Sequence, residues 1–407
     1  MSSLIPRRDV VLTVVVAALG YFVDIYDLIL FSIVRVPSLQ SLGLAGAELT
    51  DVGVRLINWQ MGGMLVGGLL WGVLGDKRGR LTVLFGSILT YSLANIANGL
   101  AQTVTQYEVL RFIAGVGLAG ELGAGITLVG EVMPKESRGY ATTAVAGVGI
   151  LGAVVAAQVG DVFPWRIAYF IGGALGLALL LVRFGLRESG MFRSSKELGV
   201  RHGDFFALFR NPTRLRRYIA VILVGVPVWY AVGILVTFSP EIAAAMGLVE
   251  LPKPSRSVML MYAGLAIGDF GSGALSQLLK SRKKVLAGFL LATAICVAMY
   301  FTVGRSSLSA FYGVIFALGV ASGFWAVFVT VASEQFGTNL RATAATTAPN
   351  FVRGMLVLST LSFQALKAHF GVVNAAAFIG IIEIGAALAS LLALEETYGK
   401  DLNFVED

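Results

Sequence analysis

The chain has few charged residues and almost none of the residue types that build disulfides or metal sites. Of its 407 residues 14% are charged, and there are one cysteine and two histidines. The single cysteine, Cys296, excludes an internal disulfide framework and a cysteine-ligated metal. The histidines, His202 and His369, lie far apart in sequence and do not indicate a metal site. We therefore expect no metal and no cofactor.

Signatures of enzymes and of ATP-driven pumps are also missing. No Gly-x4-Gly-Lys-Ser/Thr segment occurs, so nothing indicates an ATP-binding loop. The apolar runs contain no spaced Ser/His/Asp set and no His-Glu-x-x-His segment of the kind that indicates a hydrolase. We therefore expect that the protein is not an enzyme.

Apolar sequence is what the chain has in abundance. Hydrophobic residues make up 57% of it, and it contains 49 glycines, a residue that lets membrane helices pack closely. This composition excludes a soluble globular protein. The net charge of +7 occurs as short basic clusters between apolar runs, which is typical of membrane topology and not of nucleic-acid binding.

The apolar runs predict twelve transmembrane helices, because about 20 residues cross a hydrocarbon core roughly 30 Å thick. These spans lie at about 10–35, 52–74, 81–102, 107–132, 140–161, 165–186, 218–246, 257–279, 284–304, 308–333, 343–367 and 371–394. A long polar segment separates the first six from the last six. We therefore predict an all-α membrane protein with two pseudo-symmetric six-helix bundles, over residues 1–186 and 218–407, and a cytoplasmic linker over 187–217.

Lys and Arg gather in alternate loops, so most of the 31 basic residues fall on one side of the predicted membrane. Basic loops mark the cytoplasmic side, and both termini are therefore expected in the cytoplasm, with the protein in a cell inner membrane. The apolar run after the polar segment 1–9 is too long for a cleaved signal peptide, so we expect the first helix to be retained. A monomer is expected.

Ionisable residues occur inside the apolar runs. A charge at membrane depth costs roughly 2.5–3.5 kcal/mol, so each one needs a partner, a proton or a wet cavity. The residues concerned are Asp24, Asp27, Glu121, Asp161, Asp269, Glu383 and Arg353. Asp24 and Asp27 share a helix face, so their charges repel and one of them can hold a proton near neutral pH. Arg353 stays protonated and needs an anion, either a substrate or a protein carboxylate.

Coupling of a proton to a substrate would use these groups directly. We expect Asp24, Asp27 and Glu121 to carry the proton; Glu121 has no charged neighbour within a turn or two in sequence. Arg353 would pair with an ionised Asp27 or Glu121. Protonation of that carboxylate would release Arg353 for the substrate. Polar and aromatic residues of other spans are expected to line the cavity with Arg353: Asn58, Gln60, Trp229, Tyr230, Trp325 and Asn350.

Several short motifs carry a family resemblance. Gly72-Val-Leu-Gly-Asp-Lys-Arg-Gly-Arg80, between spans two and three, resembles the loop signature of the major facilitator superfamily. Arg111-Phe-Ile-Ala-Gly-Val-Gly-Leu-Ala-Gly120 is similar to the span-four motif of that superfamily, and the loop from Glu131 to Arg138 recurs in the second half as Glu334 to Arg341. Together the motifs resemble the sugar-porter and phosphate:proton-symporter branch. The resemblance implies two bundles that rock about a substrate site near the membrane midplane.

Span one is most similar to that of the phosphate:proton symporters. Its segment Phe22-Val-Asp-Ile-Tyr-Asp-Leu28 matches a place where aspartates are implicated in proton movement. Glu121 occupies the place of the aspartate in that family's Gly-Asp-Tyr, and Arg353 the place of a phosphate-binding lysine. Span seven, however, lacks the family's substrate-site aspartate, and no tyrosine follows Glu121. The resemblance therefore favours an anion other than phosphate.

The resemblance also implies a charge network at the cytoplasmic ends that holds the outward-facing state. Its members would be Asp76, Arg80, Glu131, Arg138, Glu188, Glu334 and Arg341. Near the outer ends, Arg35 and Arg166 are expected to reach the membrane interface with their guanidinium groups. Asp269 fits either the cavity or helix packing, and Glu383 is expected to be structural.

The predicted function is a secondary active transporter that performs proton-coupled symport of a small anionic metabolite by alternating access. Its expected partners are the substrate, protons and the lipid bilayer, and not nucleic acid. One alternative is a proton-coupled exporter of drugs or metal cations, in which Asp24, Asp27 and Asp269 would bind cationic cargo. Another is a membrane receptor or scaffold that moves no substrate.

Overall fold

The computed structural model describes residues 7–132, 138–184 and 205–400, and most of this chain is α-helix. Within these ranges, nine helices are long and apolar enough to cross a membrane by length and composition. The expectation of an all-helical membrane protein is confirmed.

The described part of the first half contains seven helices. They are α1 (Arg7–Ser41), α2 (Glu48–Arg78), α3 (Arg80–Leu100), α4 (Val104–Leu118), α5 (Glu121–Val132), α6 (Arg138–Val162) and α7 (Trp165–Arg183). The second half consists of α8 (Ala207–Arg210), α9 (Pro212–Tyr230), a π-helix (Ala231–Val236), α10 (Ser239–Ala245), α11 (Pro254–Leu278), α12 (Arg282–Thr302), a short 3-10 helix (Gly304–Ser306), α13 (Leu308–Ser322), α14 (Trp325–Glu334) and α15 (Thr338–Ala393).

Three of the predicted spans are interrupted helices. Span four divides into α4 and α5 at Ala119-Gly120, and span ten divides into α13 and α14 at Gly323-Phe324. Span seven passes from α9 into the π-helix just after Pro227, which cannot donate a helical backbone hydrogen bond. An interrupted helix at membrane depth leaves backbone groups that must face protein or a water-filled cavity. The three interruptions therefore indicate that a functional site lies close to them.

The last two predicted spans form one element that turns at Gly371. The residue has φ 78° and ψ 168°, a left-handed φ that glycine adopts at little cost. With α15 counted as two spans, and with α4 joined to α5 and α13 to α14, the helices are consistent with the twelve predicted spans. The segment limits 1–186, 187–217 and 218–407 stay predictions.

Helices pack closely within and between the halves. α1 lies along α6, and α9 lies along α15; the halves meet where α2 packs against α15 and α6 against α11. Gly152 of α6 lies against the backbone carbonyl of Phe22, where a Cβ atom would collide with the carbonyl oxygen. Gly63 of α2 approaches the Phe112 carbonyl in the same way. Close helix crossings at small residues stabilise membrane bundles, which accounts for part of the glycine content.

Candidate functional site

A buried ion pair lies between the two halves. The side chains of Arg353 on α15 and Asp24 on α1 are 1% and 0% exposed, and 3.9 Å separates Arg353 Nη2 from Asp24 Oδ2. That distance is too long for a hydrogen bond. Arg353 Nε and Nη1 and both Asp24 oxygens also lack hydrogen-bond partners within the described ranges. The pair is therefore attracted electrostatically but retains unused donors and acceptors.

Aromatic side chains surround the Arg353 guanidinium. It lies over the Trp229 ring, with 5.5 Å from Arg353 Cζ to the ring centroid. Trp229 in turn meets Trp325 edge to face, at 6.4 Å between centroids. Tyr21 and Tyr262 are both near enough to interact with its charge. These two tyrosines were not predicted from the sequence, although Tyr21 lies one helical turn before Asp24.

The predicted ion pairs of Arg353 are wrong. Among the described residues, its carboxylate partner is Asp24 and not Asp27 or Glu121. Asp27 lies one turn further along α1 and faces the interior of the first half, where both its oxygens lack hydrogen-bond partners in the part of the chain that is described. Its polar neighbours are Asn95 of α3 and Arg111 of α4.

Arg111 is a second buried cation, which sequence analysis treated only as part of a motif. It is fully buried, donates a hydrogen bond to the side-chain oxygen of Gln60, and lies 5.2 Å from the centroid of the Phe31 ring. The amide nitrogen of Gln60 donates to the Leu28 carbonyl at 3.3 Å, so Gln60 holds Arg111 next to α1. The position of Arg111 inside a predicted span was the signal that could have identified it.

Glu121 is paired inside the first half, contrary to its isolated position in sequence. Its carboxylate accepts two hydrogen bonds from Arg183 of α7, one of them at 3.1 Å, and both side chains are 1% exposed. Arg183 also donates to the Leu84 carbonyl at 2.7 Å. A buried bidentate pair of this kind satisfies both charges. Arg183 ends α7, 62 residues after Glu121, so sequence proximity could not reveal the pair.

The remaining predicted lining residues have other contacts. Tyr230 is fully buried and donates its hydroxyl to the Ala376 carbonyl at 2.8 Å, so it joins α9 to α15, and its prediction as a substrate contact does not fit this geometry. Asn58 accepts a hydrogen bond from Thr360 across the halves. Asn350 donates to the Ala119 carbonyl at 3.1 Å, at the break between α4 and α5. Asn58 and Asn350 therefore connect the halves.

Three other carboxylates have structural surroundings. Asp269 accepts a hydrogen bond from the Ala326 backbone amide at 3.1 Å, at the start of α14, which favours a role in helix packing. Glu383 accepts a hydrogen bond from Ser359, between the two parts of α15, as expected of a structural residue. Asp161 lies exposed at the end of α6 and accepts from Ser255 at 3.1 Å, so it has a polar partner on α11.

The predicted charge network is only partly described. Glu188 lies outside the described residues, and so do the side chains of Asp76, Glu131, Arg138 and Arg341. Arg80 donates to the Gly75 carbonyl at 2.8 Å. Glu334 lies 3.6 Å from Arg282 and accepts from Thr397 at 2.7 Å. These two contacts of Glu334 lie within the second half and not between the halves.

Arg35 joins the two halves at the end predicted to be outside, and the expectation that it reaches the membrane interface is wrong. Its side chain is fully buried, forms an ion pair with Glu241 of α10 at 2.5 Å, and donates to the carbonyls of Leu49 and Thr237 at 3.0 and 3.3 Å. Thr237 also donates to Ser32 at 2.9 Å. We refer to these contacts as the outer closure.

A cavity lies between the halves on the opposite side of Arg353 from the outer closure. Residues of α2, α5 and the beginning of α15 line it, together with Phe205. Among them are Gly68, Trp71, Gly123 and Thr346, toward the helix ends predicted to be cytoplasmic. The outer closure thus joins the halves near one end, and this cavity lies between them near the other end.

Comparisons with known proteins identify the family of this chain. The family model described as Major Facilitator Superfamily matches residues 17–359. The chain is 25% identical over 397 residues to a probable 4-methylmuconolactone transporter of Cupriavidus pinatubonensis, covering 93% of this chain and 89% of that protein. It is 26% identical over 426 residues to the niacin transporter NiaP of Acinetobacter baylyi, covering 96% and 95%.

The fold matches that of a solved transporter. The crystal structure of a D-xylose-proton symporter superposes with a TM-score of 0.74 at 15% identity, covering 97% of this chain and all of that one. At this identity the likeness shows the fold alone. Since the family model spans most of the sequence, the chain belongs to the Major Facilitator Superfamily, and it is a multi-pass membrane transporter of small molecules and not an enzyme.

Proposed function

We propose that the protein performs proton-coupled symport of a small ring compound that bears a carboxylate. The observation that carries this proposal is the Arg353 guanidinium, which is buried against Trp229 with unused hydrogen-bond donors and lies 3.9 Å from Asp24. A guanidinium in such surroundings binds a planar carboxylate by a pair of hydrogen bonds. Cationic cargo would be repelled, which disfavours the drug or metal exporter.

The aromatic neighbours of Arg353 favour a ring in the substrate. Trp229, Trp325, Tyr21 and Tyr262 present flat apolar faces, and aromatic walls with a few placed polar groups are typical of small-molecule sites. The Trp229 Nε1 has no hydrogen-bond partner among the described residues, so it can serve a polar group of the substrate. Niacin and 4-methylmuconolactone, for which two relatives are named, are both small rings with a carboxylate.

Coupling follows from competition for Arg353. An ionised Asp24 neutralises the guanidinium and repels a substrate carboxylate. A protonated Asp24 leaves Arg353 with its full charge, so proton and substrate bind together more favourably than either alone. Asp27 would exchange the proton with Asp24, since the two lie one turn apart on α1. The fold shared with a proton symporter supports this reading.

The membrane placement is part of the same proposal. Protonation from outside and release inside require that the outer closure faces the periplasm and the cavity faces the cytoplasm. We therefore propose an inner-membrane protein with both termini in the cytoplasm, acting as a monomer.

Binding of niacin and of nicotinamide to the purified protein tests the substrate class. The two compounds share a ring and a size, and they differ in whether a carboxylate or a neutral amide is present. We expect niacin to bind and nicotinamide to bind much more weakly. Arg353→Lys should weaken niacin binding about tenfold to a hundredfold, because a lysine cannot form the paired hydrogen bonds.

Two results would contradict the proposal. Equal affinity for niacin and nicotinamide would exclude recognition of a carboxylate. Binding of organic cations, with no binding of ring carboxylates, would support the exporter instead. Tyr230→Phe is the matched control. Tyr230 follows Trp229 in sequence and is also buried, but its hydroxyl donates to the Ala376 carbonyl, so the substitution should not change niacin binding.

A further inference from the structure

A stripe of polar side chains follows one face of α3 through the interior of the first half. Ser87, Tyr91, Asn95 and Asn98 recur at helical spacing, and all four side chains are fully buried. With a rise of 1.5 Å per residue, the stripe is about 16 Å long. The neighbouring Ser92 is also fully buried. We call these five residues the α3 stripe.

Most of the α3 stripe has no hydrogen-bond partner among the described residues. This holds for the Tyr91 hydroxyl, the Ser92 hydroxyl, and the amide groups of Asn95 and Asn98. Buried polar groups cost free energy unless they are hydrogen-bonded, and at membrane depth bulk water cannot satisfy them. A row of such groups is therefore expensive as packing alone, and small residues would pack the same helix at lower cost.

The α3 stripe connects the ionisable groups of the first half. Asn95 is a polar neighbour of Asp27. The Tyr91 hydroxyl interacts electrostatically with Glu121, Arg183, Asp27 and Asp24, which are the charged groups facing it from α5, α7 and α1. It therefore lies within electrostatic range of both the aspartates of α1 and the Glu121–Arg183 pair.

Glycines of α7 and α1 keep this interior narrow. A Cβ atom at Gly176 would collide with the Ser92 hydroxyl, and one at Gly172 would collide with the Asp27 carboxylate. A Cβ atom at Gly20, seven residues before Asp27 on α1, would collide with Glu121 and Arg183. The backbone thus closely approaches the α3 stripe at Ser92 and both carboxylates beside it.

We propose that the α3 stripe is the path by which the coupling proton passes between Asp27 and the Glu121–Arg183 pair, with the Tyr91 hydroxyl as the relay. The inference rests on the proposed proton-coupled symport and adds that the proton and the substrate leave by different routes. The substrate would use the cavity between the halves, and the proton the interior of the first half.

The relay step leaves Tyr91 chemically unchanged. The Tyr91 oxygen accepts a proton from the side of Asp27 while its own hydroxyl proton passes toward Glu121, directly or through a water molecule. One O–H bond forms as another breaks, and rotation of the hydroxyl restores the starting state. Glu121 becomes a neutral carboxylic acid that still accepts a hydrogen bond from Arg183, and it later gives this proton up toward the cytoplasmic side.

The test is Tyr91→Phe, which removes only the hydroxyl. Wild type and variant are placed in proteoliposomes, and two rates are measured for niacin: entry driven by an imposed proton gradient, and counterflow at equal pH on both sides. We expect the ratio of proton-driven entry to counterflow to fall about tenfold or more in Tyr91→Phe, since a positioned proton-transfer group contributes at least that much. Asn95→Leu should lower the same ratio.

Tyr300→Phe is the matched control. Tyr300 is as fully buried as Tyr91, but it lies in the second half and donates its hydroxyl to the Leu235 carbonyl at 2.8 Å. The ratio of proton-driven entry to counterflow in Tyr300→Phe should equal that of wild type. An unchanged ratio in both Tyr91→Phe and Asn95→Leu, with proton-coupled entry intact in wild type, would overturn the proton path and leave the proposed function standing. If wild type moves no proton with niacin, the proposed function fails and this inference with it.

Discussion

Asp24 and Asp27 are three residues apart on α1, yet their surroundings differ. Asp24 lies next to Arg353 of the second half, whereas Asp27 lies next to Asn95 and Arg111 of the first half. A substrate carboxylate at Arg353 therefore competes with Asp24 directly and affects Asp27 only through Asp24. In the proposed coupling, Asp24 therefore responds to the substrate and Asp27 exchanges the proton with Asp24.

Gly172 of α7 holds Asp27 in place by leaving room for it. In Gly172→Ala the added methyl group would collide with the Asp27 carboxylate and contact the Tyr26 ring. We expect proton-driven uptake to fall about tenfold or more, since a displaced proton-transfer group loses its geometry. Uptake in proteoliposomes measures this effect. Gly125→Ala is the control, because its nearest neighbour would be the Ala17 methyl at 3.8 Å, and equal losses in both variants would contradict the assignment.

The sequence identified the charges of this site but not their partners. Asp24, Asp27 and Arg353 stood out because an ionisable residue is rare in an apolar run. Which carboxylate meets Arg353 depends on the rotation of α1 against α15, which no local pattern encodes. Arg111 and Arg183 were missed for a related reason: Arg111 was absorbed in a motif, and Arg183 lies at the end of a span, where an arginine is ordinary.

At the scale of the helices, the break between α13 and α14 depends on Asp269 of α11. Phe324 precedes α14 and has no side chain that can cap it, and the Asp269 carboxylate accepts from the Ala326 amide instead. We expect Asp269→Ala to lower the free energy of unfolding by about 1 kcal/mol, the usual cost of a lost N-cap. Asp269→Asn should keep most of this contribution to the free energy of unfolding, because an asparagine oxygen can also accept from the Ala326 amide. Thermal unfolding in detergent measures both.

The same variants separate a cap from a cargo site. If Asp269→Asn abolished proton-driven uptake while the unfolding temperature stayed unchanged, Asp269 would belong to the transport site and the cap assignment would fail.

Glu396 caps α12 in a similar way, from the segment that follows α15. It accepts hydrogen bonds from the Ser281 hydroxyl and from the backbone amides of Arg282 and Lys283, at 2.9 and 3.2 Å for the amides. Burial acts to raise the pKa of Glu396, but these hydrogen bonds and one from the Tyr398 amide lower it from 4.5 to about 2. The carboxylate also lies at the positive end of the helix dipole.

This pKa predicts an acid-dependent loss of stability. Because the folded-state pKa of Glu396 is depressed, its contribution to stability is complete above about pH 4.5 and is lost as the pH falls toward about 2. The unfolding temperature of Glu396→Gln should therefore be lower than that of wild type at pH 6, and the difference should shrink between pH 4.5 and pH 2. A difference that stays constant over that range would contradict the assignment.

The fold was predictable at the level of spans and less so at their ends and breaks. Runs of about 20 apolar residues mark a helix that crosses a membrane, whatever it packs against. The breaks at Ala119-Gly120 and Gly323-Phe324 depend on contacts with other helices, such as Asn350 at the first and Asp269 at the second. Those contacts lie far away in sequence, so the pattern around each break resembles an ordinary apolar helix.

At the scale of the whole molecule, the outer closure sets which side is open. Arg35→Ala would remove the buried partner of Glu241 and the donor to Leu49 and Thr237, all of them contacts between separate elements. A loss of about 1.4 kcal/mol already shifts the equilibrium between closed and open states tenfold. We expect the ratio of outward-open to closed molecules to rise at least tenfold in Arg35→Ala.

Thiol labelling measures this shift. A cysteine in place of Ser32, which contacts Thr237, reports on opening when Cys296 is replaced by alanine, and an impermeant maleimide added outside should react about tenfold faster with Arg35→Ala. Lys367→Ala is the control, because its ion pair with the half-exposed Asp51 lies at the rim and contributes little. Equal labelling rates in wild type and Arg35→Ala would show that the outer closure does not hold the closed state.

The most direct measurement of the central claim is niacin accumulation in proteoliposomes that have a proton gradient and no other source of energy. We predict that wild type concentrates niacin inside when the outside is acidic and that dissipating the gradient stops this accumulation. Asp27→Asn should still exchange niacin by counterflow but no longer concentrate it. Niacin accumulation by Asp27→Asn to the wild-type level, or accumulation that ignores the proton gradient, would contradict the account.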